Sequence, residues 1–212
     1  MTSPLMFSLK TPGVLALTSV RAHGDMKGSS GTEGVRNREK FMRKFVDFQV
    51  PNSRLALARV EHRSKVRILN GNLAERYQVM EEVDALITDK KNTFIGVTFA
   101  DCPMVFLAGQ APTDTVSKMK SVVGIVHSGY KGMVLNIAPN TVNEMKEKKK
   151  VEEKTLEAVI GPGICGEHYE FEKKKAYELF SEYPDQIKEI ERSDKCWLDL
   201  PGIIKIQLIK VG

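Results

Sequence analysis

From residue 55 onward, short apolar runs alternate with polar stretches. Residues 55–60, 66–69, 83–88, 93–99, 104–107, 122–126 and 155–160 are each rich in Val, Ile, Leu, Phe or Thr. Most are nearly unbroken rather than alternating, the pattern of a strand covered on both faces. Helical spacing shows in three places. Residues 37–45 can set Phe41, Met42 and Phe45 on one face, with Asn37 as a cap. The segment from 127 through Met145 carries Val134, Ala138, Val142 and Met145, and Pro139 inside it must kink that helix or start a new one. Residues 172–183 form the third, with Ala176, Leu179 and Phe180 on the buried side. Residues 203–211 fit a closing strand or a helix equally. Gly161-Pro162-Gly163 ends the run at 155–160 sharply, and residues 24–34, centred on Gly28-Ser29-Ser30-Gly31, read as a flexible loop.

Strands outnumber helices, and many follow one another with no helix between them. The class predicted is therefore α+β, a mixed β-sheet core layered with helices, rather than a strict parallel βαβ series. A chain of 212 residues supports one substantial core, so residues 1–212 read as a single domain. No apolar stretch nears the roughly 20 residues of a membrane span. The first 17 residues lack the charged start and apolar centre of a secretory signal, so a cytoplasmic protein is expected.

Charge narrows the partners. The net charge is +5, yet lysines concentrate in mixed runs at 146–154 and 172–175 that read as solvated helix faces. No basic motif with interleaved aromatic residues is present, so nucleic acid is not expected. A positive field does suit a small anionic substrate. Cys102, Cys165 and Cys196 are odd in number and widely spaced, which argues against disulfides. Cys165 and Cys196 read as small buried hydrophobes. Nothing in the pattern fixes an oligomeric state.

Chemistry collects at the ends of two apolar runs. The run at 122–126 delivers His127, and the run at 93–99 is followed by Ala100-Asp101-Cys102-Pro103. If those strands pair, Cys102 and His127 meet, and His62, at the edge of another strand, completes a His-Cys-His set. A catalytic zinc takes three such donors and keeps one position open. The same two residues could instead act as a cysteine nucleophile and its base, and the residues alone leave both readings open. Asp101 faces away along an extended chain and is not an evident orienting partner. Gly129 and Gly132 allow a tight strand-to-helix turn, leaving backbone N–H groups and Lys131 where an anion could sit.

Taken in order, Ala100-Asp101-Cys102-Pro103, His127-Ser128-Gly129-Tyr130-Lys131-Gly132 and Ile160-Gly161-Pro162-Gly163-Ile164, continued by His168-Tyr169-Glu170-Phe171, resemble one known family. It was first labelled multicopper polyphenol oxidase, or laccase-like, and later understood as zinc-containing purine nucleoside phosphorylases. The resemblance extends to Asp84-Ala85-Leu86-Ile87-Thr88 and Asn37-Arg38, and covers roughly residues 21–208. It implies a cysteine-hydrolase-like fold with His62, Cys102 and His127 as zinc ligands and catalytic centre, and Arg21, Arg38 and Lys131 as contacts to phosphate or substrate. The implied activity is phosphorolysis of adenosine- and inosine-type nucleosides, with adenosine deamination alongside. Copper fits less well, because three donors at one place do not build a several-copper cluster. A non-catalytic zinc scaffold of the same fold is the alternative outside enzymology. The chain departs from the family pattern at Glu61, Arg63 and Lys131 and is shorter at both ends, the marks of a divergent member. A lysine at 131 cannot make the two-pronged contact of an arginine.

Overall fold

The computed structural model describes residues 3–27, 32–46, 50, 52–115 and 117–212; the Gly28-Ser29-Ser30-Gly31 centre of the expected loop lies outside the described residues. Strands β1 (Leu5–Phe7) and β2 (Ala16–Thr18) form an antiparallel pair. A single turn at Arg21–His23 leads towards helix α1 (Glu33–Phe41), which widens into a π-helical turn at Met42–Val46. Next come β3 (Arg54–Ala58), β4 (Val66–Leu69), β5 (Tyr77–Met80), β6 (Ala85–Thr88), β7 (Thr93–Val97), β8 (Met104–Pro112) and β9 (Met119–His127). Helices α2 (Tyr130–Val134) and α3 (Ile137–Lys149) precede β10 (Glu157–Ile160), β11 (Glu170–Glu172) and α4 (Lys173–Leu179). Strands β12 (Ile187–Glu189) and β13 (Lys195–Leu198) and helix α5 (Leu200–Ile209) close the order.

The central sheet runs β10-β8-β9-β6-β4, with β4 and β6 parallel and the other pairs antiparallel, so the architecture is α+β with a mixed sheet. Its strands are apolar on both sides for a reason. Ala85, Ile87, Val105, Leu107 and Val126 face α3, α5 and the β11-β13-β12 sheet. The alternate residues Leu86, Met104, Phe106 and Ile125 face a second core shared with Ala56 and Ala58 of the small β5-β3-β7 sheet. Burying each large side chain contributes roughly 1.5–3 kcal/mol. Gly124 lets α3 approach, since a Cβ there would stand 3.2 Å from both Met145 Sδ and Leu107 Cβ.

Several expectations change in the structure. The first helix begins at Glu33, not 37, and Thr32 stands at its N-cap; Asn37 lies inside it, its amide donating to the Asp25 carbonyl at 2.9 Å. That start is almost wholly polar, with only Gly34 buried, so apolar spacing could not reveal it. Pro139 does not kink one long helix: the chain breaks at Asn136, which has φ 55°, and Pro139 sits in the first turn of α3, where no N–H is needed. The undecided closing segment is helix α5, started by Asp199, whose side chain accepts the Gly202 N–H at 3.0 Å. The third helix is shorter than 172–183, ending at Leu179. Strands β7 and β9 do not pair; β7 belongs to the small sheet, and Cys102 reaches His127 through β8, where Met104 pairs with His127. Lys149, read as a solvated residue, is only 9% exposed. Cys196 is buried as expected, whereas Cys165 is exposed. Among the described residues no helix is long and apolar enough to cross a membrane.

Candidate metal centre

Three connections meet at one end of the sheets. His62 lies in the bend after β3, Cys102 in the bend between β7 and β8, and His127 is the last residue of β9. One ligand atom from each lies within 4.8 Å of the other two. His62 is exposed, Cys102 half-buried and His127 5% exposed, so the trio opens to solvent on the His62 side. The two imidazoles meet edge to face, with centroids 5.0 Å apart.

Asp84, immediately before β6 and only 1% exposed, organises the approach of His62. Its carboxylate accepts the backbone N–H groups of Glu61 at 3.0 Å, His62 at 2.7 Å and Arg63 at 3.0 Å. Those bonds hold His62 at φ 58°, a left-handed conformation that a β-carbon disfavours. The carbonyl of Asp84 accepts the His127 N–H at 2.8 Å, so one residue sets the positions of two ligands. The Pro103 carbonyl accepts the Ser128 N–H at 2.9 Å and ties the Cys102 bend to the end of β9.

The residues fit a metal. Neither ring nitrogen of buried His127 makes a well-formed hydrogen bond, the Thr98 backbone offering only a weak one, so an ion that takes one nitrogen relieves a costly buried group. Gly129 keeps the space clear, because a Cβ there would stand 2.8 Å from Cys102 Sγ and 3.7 Å from His62 Cδ2. Two imidazoles and one thiol are donors suited to zinc. Burial, aided by His62, holds the His127 pKa below the ordinary imidazole range against weaker opposing pulls from the Thr98 backbone and Asp84. Burial, and then Asp101, pushes the Cys102 thiol up. The histidine is thus neutral, as a ligand must be, while the sulfur needs a metal to become a thiolate. Both shifts oppose the thiolate–imidazolium pair that an unaided cysteine nucleophile requires.

The expected anion contacts come from three separate elements. Arg21 is exposed in its short turn, and Lys131 is exposed at the start of α2. Arg38 donates to the Met26 carbonyl and lines a cleft of about 830 Å3 between α1 and the sheets, with Phe41, Leu57, Thr98 and Phe99. His62, Cys102 and His127 do not line that cleft. Sequence reasoning gave no role to Asp84 or Thr98; the signal for Asp84 was a single carboxylate at the start of an otherwise apolar strand.

The fold and this trio define a class: a mixed α+β protein presenting a His-Cys-His set at the junction of two sheets. Residues 21–212 match the profile of the multi-copper polyphenol oxidoreductase laccase family, and the chain belongs to that family. It is 32% identical over 148 residues to a purine nucleoside phosphorylase of Rickettsia prowazekii (strain Madrid E), covering 66% of this chain and 55% of the relative. An adenosine deaminase from an unknown prokaryotic organism is 26% identical over 181 residues, 78% of this chain and 65% of that protein. The chain therefore spans a little over half to two thirds of these relatives. The crystal structure of Neisseria meningitidis protein NMB0706 superposes with a TM-score of 0.73 at 20% identity, covering 100% of this chain and 84% of that one.

Proposed function

We propose that the protein is a zinc-dependent purine nucleoside phosphorylase acting on adenosine- and inosine-type nucleosides. The observation that carries this reading is the convergence of His62, Cys102 and His127 in a chain whose relatives include purine nucleoside phosphorylases. In phosphorolysis, phosphate attacks the ribose carbon of the glycosidic bond, the bond to the base breaks, and the base leaves with a proton. A zinc ion held by the three side chains supplies Lewis-acid polarisation. Neutral His127, fixed through its backbone by Asp84, needs no deprotonation to act as a ligand. Lys131, and more remotely Arg21 and Arg38, supply the positive charge for phosphate, Lys131 as a point charge rather than a fork. Deamination of adenosine is a secondary activity of the same centre, suggested by the deaminase relative. Among the described residues there is one group of three metal-capable side chains, which supports a single-ion site over several-copper oxidase chemistry. Three free cysteines suit a reducing cytoplasm.

Metal content and phosphate dependence test the proposal together. Wild type should carry near-stoichiometric zinc and release base from inosine only with phosphate; Cys102→Ser should lose both metal and turnover. Turnover by metal-free protein would return the centre to cysteine chemistry. Full zinc occupancy with no turnover would leave a binding scaffold.

A further inference from the structure

A second pairing of sulfur with imidazole lies outside the metal centre. Cys165 Sγ stands 2.9 Å from His168 Nδ1. The turn between them is closed by the His168 N–H donating to the Cys165 carbonyl at 3.1 Å, which folds both side chains to one side. Both residues are exposed, and Cys165 is a free thiol. The other two cysteines differ: Cys196 is fully buried with its Sγ on the Phe171 carbonyl, and Cys102 belongs to the trio.

We propose that Cys165 and His168 form a reactive surface dyad for hydroperoxides, which makes Cys165 a site of reversible oxidation. The sulfur attacks the terminal oxygen of the hydroperoxide, an S–O bond forms and the O–O bond breaks. The departing alkoxide or hydroxide takes the proton from His168. Cys165 is oxidised to a sulfenic acid while the peroxide is reduced to an alcohol or water. A small thiol then condenses with the sulfenic acid, releasing water and leaving a mixed disulfide that a second thiol reduces.

Electrostatics agree with the geometry. His168 first, and then the Glu167 backbone N–H, draw the Cys165 pKa below the usual thiol range, and Cys165 in turn raises that of His168. The Glu167 carboxylate opposes the thiolate, and Asp199 lies against the turn at Gly166. Burial pushes Cys102 and Cys196 the other way, so the three thiols separate in reactivity. The turn also borders the metal centre: the Ile164 N–H donates to the Asp101 carbonyl at 2.7 Å, and Gly163 packs on Pro103.

The test treats the zinc-loaded, pre-reduced full chain with stoichiometric hydrogen peroxide and dimedone, a sulfenic-acid trap, and maps the adducts by peptide mass spectrometry. Cys165 should be trapped about tenfold faster than N-acetylcysteine at neutral pH, with Cys196 unlabelled. His168→Ala and His168→Gln should both remove that advantage and move the pH midpoint of Cys165 alkylation up towards the ordinary thiol value of about 8.5. Position 168 is exposed, so both variants should fold. A Cys165 that reacts no faster than N-acetylcysteine overturns the proposal, as does a rate and midpoint unchanged by loss of His168.

Discussion

At the residue scale, Asp84 does more than its place before a strand suggests. Its carboxylate accepts three backbone N–H groups around His62, and its main-chain carbonyl takes the N–H of His127. Asp84→Asn preserves size but turns one acceptor into a donor facing those N–H groups, so the left-handed His62 turn loosens. Zinc affinity should fall about 10–100-fold, as when a group supporting a ligand is removed, measured by competition against a chromogenic chelator. An unchanged dissociation constant would mean that the trio positions itself. The sequence made Cys102 and His127 legible because each closes an apolar run. It marked Asp84 only as a lone carboxylate before an apolar strand, because three bonds to main-chain amides do not announce the role of the side chain that accepts them. It misled at Cys165, where a small apolar-looking residue after Ile164 is turned outward by backbone geometry alone.

At the scale of elements, the central strands β6, β8 and β9 could be read because both faces of their middle residues are buried and those residues are nearly all apolar. Strands β11, β12 and β13 could not, since they are three or four residues long and mostly polar on the outer side. A buried polar knot joins the elements elsewhere. Asp89, after β6, meets Lys149 from the end of α3 at 3.0 Å and Lys120 of β9 at 2.7 Å, and Lys149 also donates to Asn70 at 3.0 Å. The side chains of Asp89 and Lys149 are 7% and 8% exposed. Burial opposes the charge on Asp89, but the hydrogen bonds from Lys120 and Lys149 outweigh it and hold the pKa below the ordinary carboxylate value. A depressed folded-state pKa means that the unfolded chain binds the proton more tightly. The stabilisation is thus complete above the unfolded value of about 3.9 and is lost as pH falls through the folded one. Asp89→Asn should cost about 3 kcal/mol at pH 7, because it leaves the Lys149 charge buried without its counter-ion. In urea unfolding the gap between variant and wild type should narrow as the pH drops below about 4. A gap independent of pH would assign the cost to packing instead.

For the whole molecule, the three proposed ligands come from different parts of the fold. His62 leaves the small sheet, Cys102 crosses from the small sheet to the central one, and His127 ends a central strand. An ion bound there would join the two sheets at the same end, and its binding energy would add to the stability of the assembled core rather than to one loop. A ligand that binds only the folded state stabilises it by about 4 kcal/mol at a thousand times its dissociation constant. With roughly 2–4 °C per kcal/mol for a chain of this size, saturating zinc should raise Tm by about 10 °C. A strong chelator should reverse the shift, and Cys102→Ser, which keeps the fold but not the thiolate, should show little response to either. Calorimetry with and without zinc measures both. An equal rise in Cys102→Ser would place the stabilising ion elsewhere on the protein. A rise confined to wild type would tie the junction of the sheets to the proposed chemistry, because the side chains that hold the metal would also hold the two sheets in register.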